Sequence, residues 1–575
     1  MLAVLCGFDV DPSGAVMAWT GGLRESERRS LRVFAFDPMV DRFRPPILLR
    51  IPYEHVEPGP VGRLVAVTDI DPVKGRSLPP LDLDDPAVLI GSGLTPSETD
   101  YRSHQQSVYA VAMAALEAFE RGLGRPILWH AGRPLRLVPH AGTMANAFFD
   151  FDTFAVLFGA FKAIDANPGA NISGQTVYSC LAWDVVAHQT SHPVLADLRP
   201  FEMGAKVPEP RWPDSHALHE GFCDLVALLV RLTDPSVVSP MLRDHGLEIE
   251  GTPLLMLASQ FGQAAGLGQA IRTFPTPGVP PTSFEAHDLG ASLASAVIEA
   301  FLATLRRQCR DLFGLHGPPR SDGWLHPDLV GRLTSNTTRL AAEVLQTCIG
   351  ALDLLPPLDA RFGDLLRAIV TVSVDRFGPR QDVFRAQLIE AFRIRGMTPQ
   401  GVESLAADAL HFEPFSPSLK EPLPHVDDAL LLTQHALELR RAYMTDPEHI
   451  PEARKTVRAD MRRLKRWHTS IGSFAKDHAR RLGLEESRPM HVANLTGAFV
   501  RDPSGGVRAR VTVQIAQPPA HKDGPRVGAT IVANSTGELQ YLIRTRERRV
   551  RRAVWPYRTP TTDLDLVAKL GSVLQ

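Results

Sequence analysis

Cysteine is scarce: 575 residues hold five, Cys6, Cys180, Cys223, Cys309 and Cys348. An odd, scattered set does not make a disulfide framework, and it points to a reducing, cytoplasmic setting. Long apolar runs are missing as well. No uninterrupted apolar segment approaches the roughly 20 residues of a membrane-spanning helix. The first residues lack a basic region, and Asp9 and Asp11 break their apolar run, so no signal peptide and no membrane partner are expected. Neither sign of charge dominates. Lys and Arg number 62 against 64 Asp and Glu, a net charge of −2, which excludes a global attraction to nucleic acid or acidic lipid. There is no Gly-x-x-x-x-Gly-Lys loop, no Gly-x-Gly-x-x-Gly, no internal repeat and no low-complexity tract. The remainder, 44% apolar and 22% charged, is an ordinary globular composition, long enough for several domains.

One stretch organises the rest: Asp184-Val185-Val186-Ala187-His188-Gln189-Thr190-Ser191-His192. An apolar run precedes it, and no Gly or Pro intervenes before Pro193, so it predicts a helix. Residues at i and i+4 share a helix face, so His188 and His192 aim two imidazole nitrogens at one point, as the first two ligands of a zinc ion must. In a chain with 20 His, such a pair alone is an ordinary solvated or core arrangement. A second predicted helix, over residues 217–228, adds Glu220 and Asp224, again four apart. A carboxylate from a second helix is the natural third ligand, with the fourth position left to water. Asp224 can accept the other ring N–H of a ligand histidine.

This pair of segments resembles the thermolysin family and its gluzincin relatives. They carry Val-Val-x-His-Glu-x-x-His-x-Val on one helix and Asn-Glu-x-x-x-Asp on the next. Here Val185-Val186-Ala187-His188, His192-Pro193-Val194 and Glu220 through Asp224 match, with His219 where Asn is common. The likeness is greatest to a bacterial group whose second motif runs His-Glu-x-Phe-x-Asp-x-Val-Ala-Leu, and it extends to residues 32–38, to residues 104–113 and to a C-terminal hairpin. It implies an α+β chain with a thermolysin-like zinc metallopeptidase core, Zn2+ held by His188, His192 and Glu220, and a protein or peptide substrate. Asn146-Ala147-Phe148-Phe149-Asp150 resembles the family's cleft-edge strand, which pairs with substrate backbone; read alone, Asn146 is a turn residue. A strand over residues 154–159 then completes a hairpin. His287, where a long helix over residues 291–306 opens, takes the place of a histidine that donates to the tetrahedral intermediate.

The chain departs from the pattern at Gln189, where the family has the glutamate that takes a proton from the metal-bound water. An amide orients water but does not accept its proton at neutral pH, so hydrolysis in this form is expected to be nearly absent. Two histories fit: an engineered replacement in an active peptidase, favoured because the other site residues remain, or a natural pseudo-enzyme that binds or scaffolds. The family's Tyr between the two motifs has no counterpart between His192 and Glu220, and that interval holds Pro193, Pro200, Pro208, Pro210 and Pro213.

Four regions are expected. Residues 1–127 form an α+β lead-in, with strands over 31–36, 47–52 and 61–70 and a helix over 101–122. Residues 128–315 form the peptidase-like core, ended by a Pro/Gly stretch over 314–322. Residues 316–485 are helical, with helices over 339–354, 363–376, 380–395 and 399–410, then a Pro-rich link and a helical pair. Residues 486–575 are β-rich and carry the hairpin. Arg454, Lys455, Arg458, Arg462, Arg463, Lys465 and Arg466 crowd one helix. Such a helix suits a nucleic acid or a solvated surface, and the second is favoured because Trp467 is the sole aromatic for base stacking.

Overall fold

The computed structural model describes residues 28–69, 76–164, 171–203, 213–283, 285–316, 325–415, 419, 421–519 and 526–545. The expectations for the N-terminal residues, for the 314–322 boundary beyond residue 316, and for Pro208 and Pro210 lie outside them. The mixed α+β class holds.

The chain opens on an antiparallel hairpin, β1 (Arg28–Val33) with β2 (Ile47–Pro52), in the register Leu31↔Leu49. Alternation buries Leu31, Val33, Ile47, Leu49 and Ile51 on one face. The expected strand over 31–36 stops at Val33, because Phe36 N–H turns to the Asp41 carboxylate, 2.8 Å away. That face packs on α1 (Tyr101–Leu123), which Asp100 caps by accepting from Arg102 N–H. Gly124, at φ 71°, ends α1, and a Cβ there would stand 2.5 Å from Phe499 O, so the left-handed turn and the close approach both call for glycine.

A five-stranded sheet follows. β3 (Val65–Val67), β4 (Leu135–Thr143) and β6 (Ala155–Lys162) run parallel, and β5 (Ala147–Asp150) pairs antiparallel with the outer edge of β6. β7 (Thr176–Tyr178) pairs with the far end of β6. The expected strand over 61–70 is confined to Val65–Val67 in the described residues, since Val61 makes only isolated bridges, to Glu57 and Ala66. The 154–159 hairpin partner is present as β6.

Three helices carry the motif residues. They are α2 (Trp183–Leu198), α3 (Pro213–Leu232) and α5 (Ala286–His316); α4 (Pro235–His245) lies between the last two. A 3-10 turn at Ser179–Leu181 leads into α2. α2 runs on past Pro193, where the missing N–H leaves the Gln189 carbonyl without its i+4 helix donor. α3 is buried nearly all round, its polar His219, Asp224 and Arg231 included. Ala286–Leu312 is apolar enough on average to cross a membrane, but 78% of its most apolar window is buried inside the protein, so the core accounts for that composition.

α6 (Pro327–Ala351), α7 (Phe362–Phe377) and α8 (Asp382–Ile394) share one apolar core with all of these, which runs from Leu31 to Phe412 and also takes in Val532 and Ile543. α6 begins well before the expected residue 339, with Pro327 at its first turn. The helix expected over 399–410 is only Ala407–Leu410, because Gly401 adopts φ 66° and turns the chain. A second core joins α9 (Val426–Thr445) and α10 (Ile450–Asp477) to a four-stranded antiparallel sheet, β10 (His491–Arg501), β11 (Val507–Gln517), β12 (Val527–Asn534) and β13 (Leu539–Arg544). The expected hairpin is the β12–β13 pair, and the sheet is larger than that hairpin. Buried ion pairs bridge the two cores: Asp353 takes Arg125 at 2.6 Å and Arg510 at 3.3 Å, and Glu120 on α1 takes Arg440 of α9 at 3.4 Å.

Candidate metal centre

Helical spacing sets the first two donors. His188 and His192 lie one turn apart on α2, with their Nε2 atoms 3.2 Å from each other. α3 packs beside α2 and brings Glu220 Oε2 to 3.4 Å from His188 Nε2 and 3.8 Å from His192 Nε2. Glu220 Oε2 is buried and has no partner at full hydrogen-bond geometry. Donors at 2.0–2.1 Å from a tetrahedral ion stand about 3.3–3.4 Å apart. The three edges of this triangle therefore fit one zinc-sized cation.

The remaining ring nitrogens are occupied. His188 Nδ1 is 2.8 Å from Asp224 Oδ1, which sets Nε2 as the outward lone pair. His192 Nδ1 is 3.5 Å from Cys223 Sγ, and that thiol lies within 4.8 Å of a ring nitrogen of each histidine. His219, in the place of the family's Asn, is fully buried with its ring near-parallel to that of His192, 6.5 Å away. Burial holds His219 well below the ordinary histidine range, so it serves as a neutral wall.

The electrostatics separate the two imidazoles. Burial lowers His188, but its bonds to Asp224 and Glu220 outweigh that and hold it up to about 9. Burial pushes His192 down to about 4. Two imidazolium rings 3.2 Å apart repel, so the positive charge rests on His188 and His192 stays neutral. Burial raises Glu220, yet His192, His188 and His287 hold its carboxyl well below the usual range. The site is an ionised carboxylate facing one imidazolium, a charge arrangement that a divalent metal replaces readily.

Arg272, on the short strand β9 (Arg272–Thr273) that pairs antiparallel with β8 (Met256–Leu257), was not legible from sequence. Its Nη2 donates to Asp224 Oδ1 at 2.9 Å and its Nε lies 2.9 Å from Oδ2. The fork locks Asp224, which in turn locks His188. Its only sequence signal is a lone arginine far from any motif. Asp184 and Arg231 brace α2 on α3 through a buried pair at 3.2 Å.

α3 and α5 cross at Gly221 and Gly290, where a Cβ on Gly221 would meet Gly290 O at 2.4 Å. This closeness brings His287, one turn earlier on α5, to 3.2 Å from Glu220 Oε2 through its Nδ1. His287 is half exposed, and its other nitrogen, Nε2, is the one left for a substrate. Gly221→Ala is expected to force the helices apart, to lower stability by about 1–3 kcal/mol, and to detach His287. Gly331→Ala on α6, with nothing within 4 Å of the added carbon, is expected to be neutral or to stabilise by up to about 1 kcal/mol. Thermal unfolding of the two variants checks the contrast, and equal shifts would refute the close crossing.

Asn146 is exposed at the head of β5; Ala147 is buried, pairing with Phe158. β5 packs against α2, and among the described residues no strand pairs with its outer edge. Gln189 is half-buried on α2. The basic residues of α10 are exposed, while Trp467 is buried and stacked near His425 at 6.0 Å, so no stacking aromatic accompanies that charge. No family model matches the chain, and neither a curated protein nor a solved structure matches it.

Proposed function

We propose that this chain is a zinc metallopeptidase scaffold of the thermolysin-like, gluzincin type, acting on a protein or peptide, with its general base replaced by Gln189. The observation that carries the reading is the triangle of His188 Nε2, His192 Nε2 and Glu220 Oε2, with edges of 3.2, 3.4 and 3.8 Å. The bond from Asp224 to the far nitrogen of His188 supports it, as does the edge strand β5 beside the ligand helix, ready to pair with an extended peptide. A zinc ion in such a site supplies Lewis acidity and lowers the pKa of a bound water. Around it, Asp224 and Arg272 hold His188 in one tautomer. The exposed edge of β5 offers backbone donors and acceptors to substrate. His287 offers an N–H to developing negative charge. Gln189 orients a water and takes no proton from it. That missing base favours a second reading, in which the chain uses the same zinc site to bind or scaffold without catalysis.

Metal analysis of protein purified without chelator tests the centre. Zinc is expected, and His192→Ala or Glu220→Gln is expected to remove it from this site. Asp224→Asn is expected to weaken its affinity by roughly 10- to 100-fold. Identical zinc content in the unaltered chain and in both ligand variants would refute the assignment.

A further inference from the structure

A second cluster of donors lies away from the motif helices. His104 is in the first turn of α1, His140 is on β4, and Cys180 is in the 3-10 turn that leads into α2. All three are buried, at 0%, 2% and 1% exposure. Ser97 O, which only accepts, lies 2.8 Å from His104 Nε2, so that nitrogen carries the ring hydrogen. The Asp69 carboxylate lies 2.7 Å from His140 Nδ1 and also accepts from Gln105 Nε2 at 3.0 Å. The remaining nitrogens, His104 Nδ1 and His140 Nε2, therefore present lone pairs to each other at 2.9 Å. Two neutral lone pairs at that distance repel unless a proton or a cation lies between them. Cys180 Sγ is 3.7 Å from His104 Nδ1, and a ligand atom from each of the three residues lies within 4.8 Å of the others.

We infer that His104, His140 and Cys180 form a second transition-metal site, of the kind that takes zinc. Donor nitrogen and thiolate on one tetrahedral zinc stand about 3.5 Å apart, and two nitrogens about 3.3 Å; the 2.9 and 3.7 Å edges need only small adjustment, and the edge from Cys180 to His140 closes from within 4.8 Å. Both imidazoles already have the outer hydrogen-bond partner that metal-binding histidines take, a backbone carbonyl for one and a carboxylate for the other. On binding, Cys180 loses its Sγ–H proton to solvent and bonds the metal as thiolate, and both imidazoles bind neutral. Rings of Tyr101 and Tyr178 cover the cluster, 4.6 Å from His140 and 4.7 Å from His104. The three donors come from α1, β4 and the entry to α2, so a metal held there braces those three elements, with its fourth position left to a non-protein ligand. The inference does not rest on the first centre.

Cobalt titration of the metal-stripped, reduced full-length chain tests it. Saturation at two ions per chain is expected, with a near-ultraviolet thiolate-to-cobalt charge-transfer band. Cys180→Ala and His140→Ala should abolish the band; His188→Ala, His192→Ala and Cys223→Ala should keep it. Because buried substitutions can unfold a protein, the His188→Ala/His192→Ala variant, unaltered at the second cluster, is also titrated and is expected to retain one tight ion. If that variant takes no cobalt, or if the band follows Cys223 and not Cys180, the cluster holds only a shared proton and the inference is overturned. Failure of the first centre alone gives the reverse pattern: one ion per chain, unaffected at His188 and lost at Cys180.

Discussion

Gln189→Glu is expected to raise zinc-dependent peptide cleavage by about 10²- to 10⁴-fold, the usual contribution of a positioned general base. The side chains match in size, and position 189 is half-buried on α2 beside His188, so folding and metal binding should be unchanged. The new carboxylate takes the proton that the amide cannot. A broad set of quenched peptides and unfolded proteins, assayed with and without chelator, reads the gain. Adding Glu220→Gln to the same chain should abolish it, which separates activity at this site from a contaminant. Autolysis during purification of Gln189→Glu is a second readout. A Gln189→Glu protein that folds, holds zinc and cleaves nothing in the set would sink the peptidase reading and leave the binding or scaffold reading in place.

The second large effect concerns the join between the two cores. Asp353 is buried, with Arg125 Nη1 and Nη2 at 2.6 and 2.9 Å and Arg510 Nη2 at 3.3 Å. Asp353→Ala leaves two buried guanidinium groups without their carboxylate, and removing one partner from such a cluster costs about 3–5 kcal/mol. By contrast, Arg339→Ala, which breaks the exposed pair with Glu343, should cost less than about 0.5 kcal/mol. The pH dependence has a definite sign. Burial raises the Asp353 carboxyl, but Arg125 and Arg510 outweigh it and hold the carboxyl below its ordinary value. A depressed carboxylate stabilises the fold fully above its unfolded pKa of about 3.9, and that contribution disappears as pH falls through the lower folded value. The gap in stability between the unaltered chain and Asp353→Ala should therefore be constant from neutral pH down to about 5 and shrink below about 4. Denaturant unfolding across that range checks it; a gap that widens in acid, or a loss no larger than that of Arg339→Ala, refutes the clasp.

Whatever depends on local spacing was legible in the sequence. One helical turn decides that His188 and His192 share a face, and likewise Glu220 and Asp224, so both pairs were readable without a fold. The 147–158 hairpin was expected from the resemblance of residues 146–150 to a cleft-edge strand and from the apolar run that follows, and α1 from the period of its apolar face. β10 was missed because its pattern is interrupted: Asn494 sits at φ 53° and the register shifts between Ala493 and Thr496, so alternation fails over a continuous strand. The class, α+β, was what the resemblance implied, but the merging of the N-terminal hairpin, the mixed sheet and α6 to α8 into one core was not legible. That merging depends on which apolar faces meet. Tertiary structure alone decided the rest of the site. Arg272 grips Asp224 across 48 residues, Gly221 and Gly290 let α5 carry His287 over Glu220, and α1, β4 and a 3-10 turn deliver His104, His140 and Cys180 to one point. No period or motif encodes such meetings, because each is set by the packing of whole elements, and the residues that result are ordinary until their neighbours in space are known.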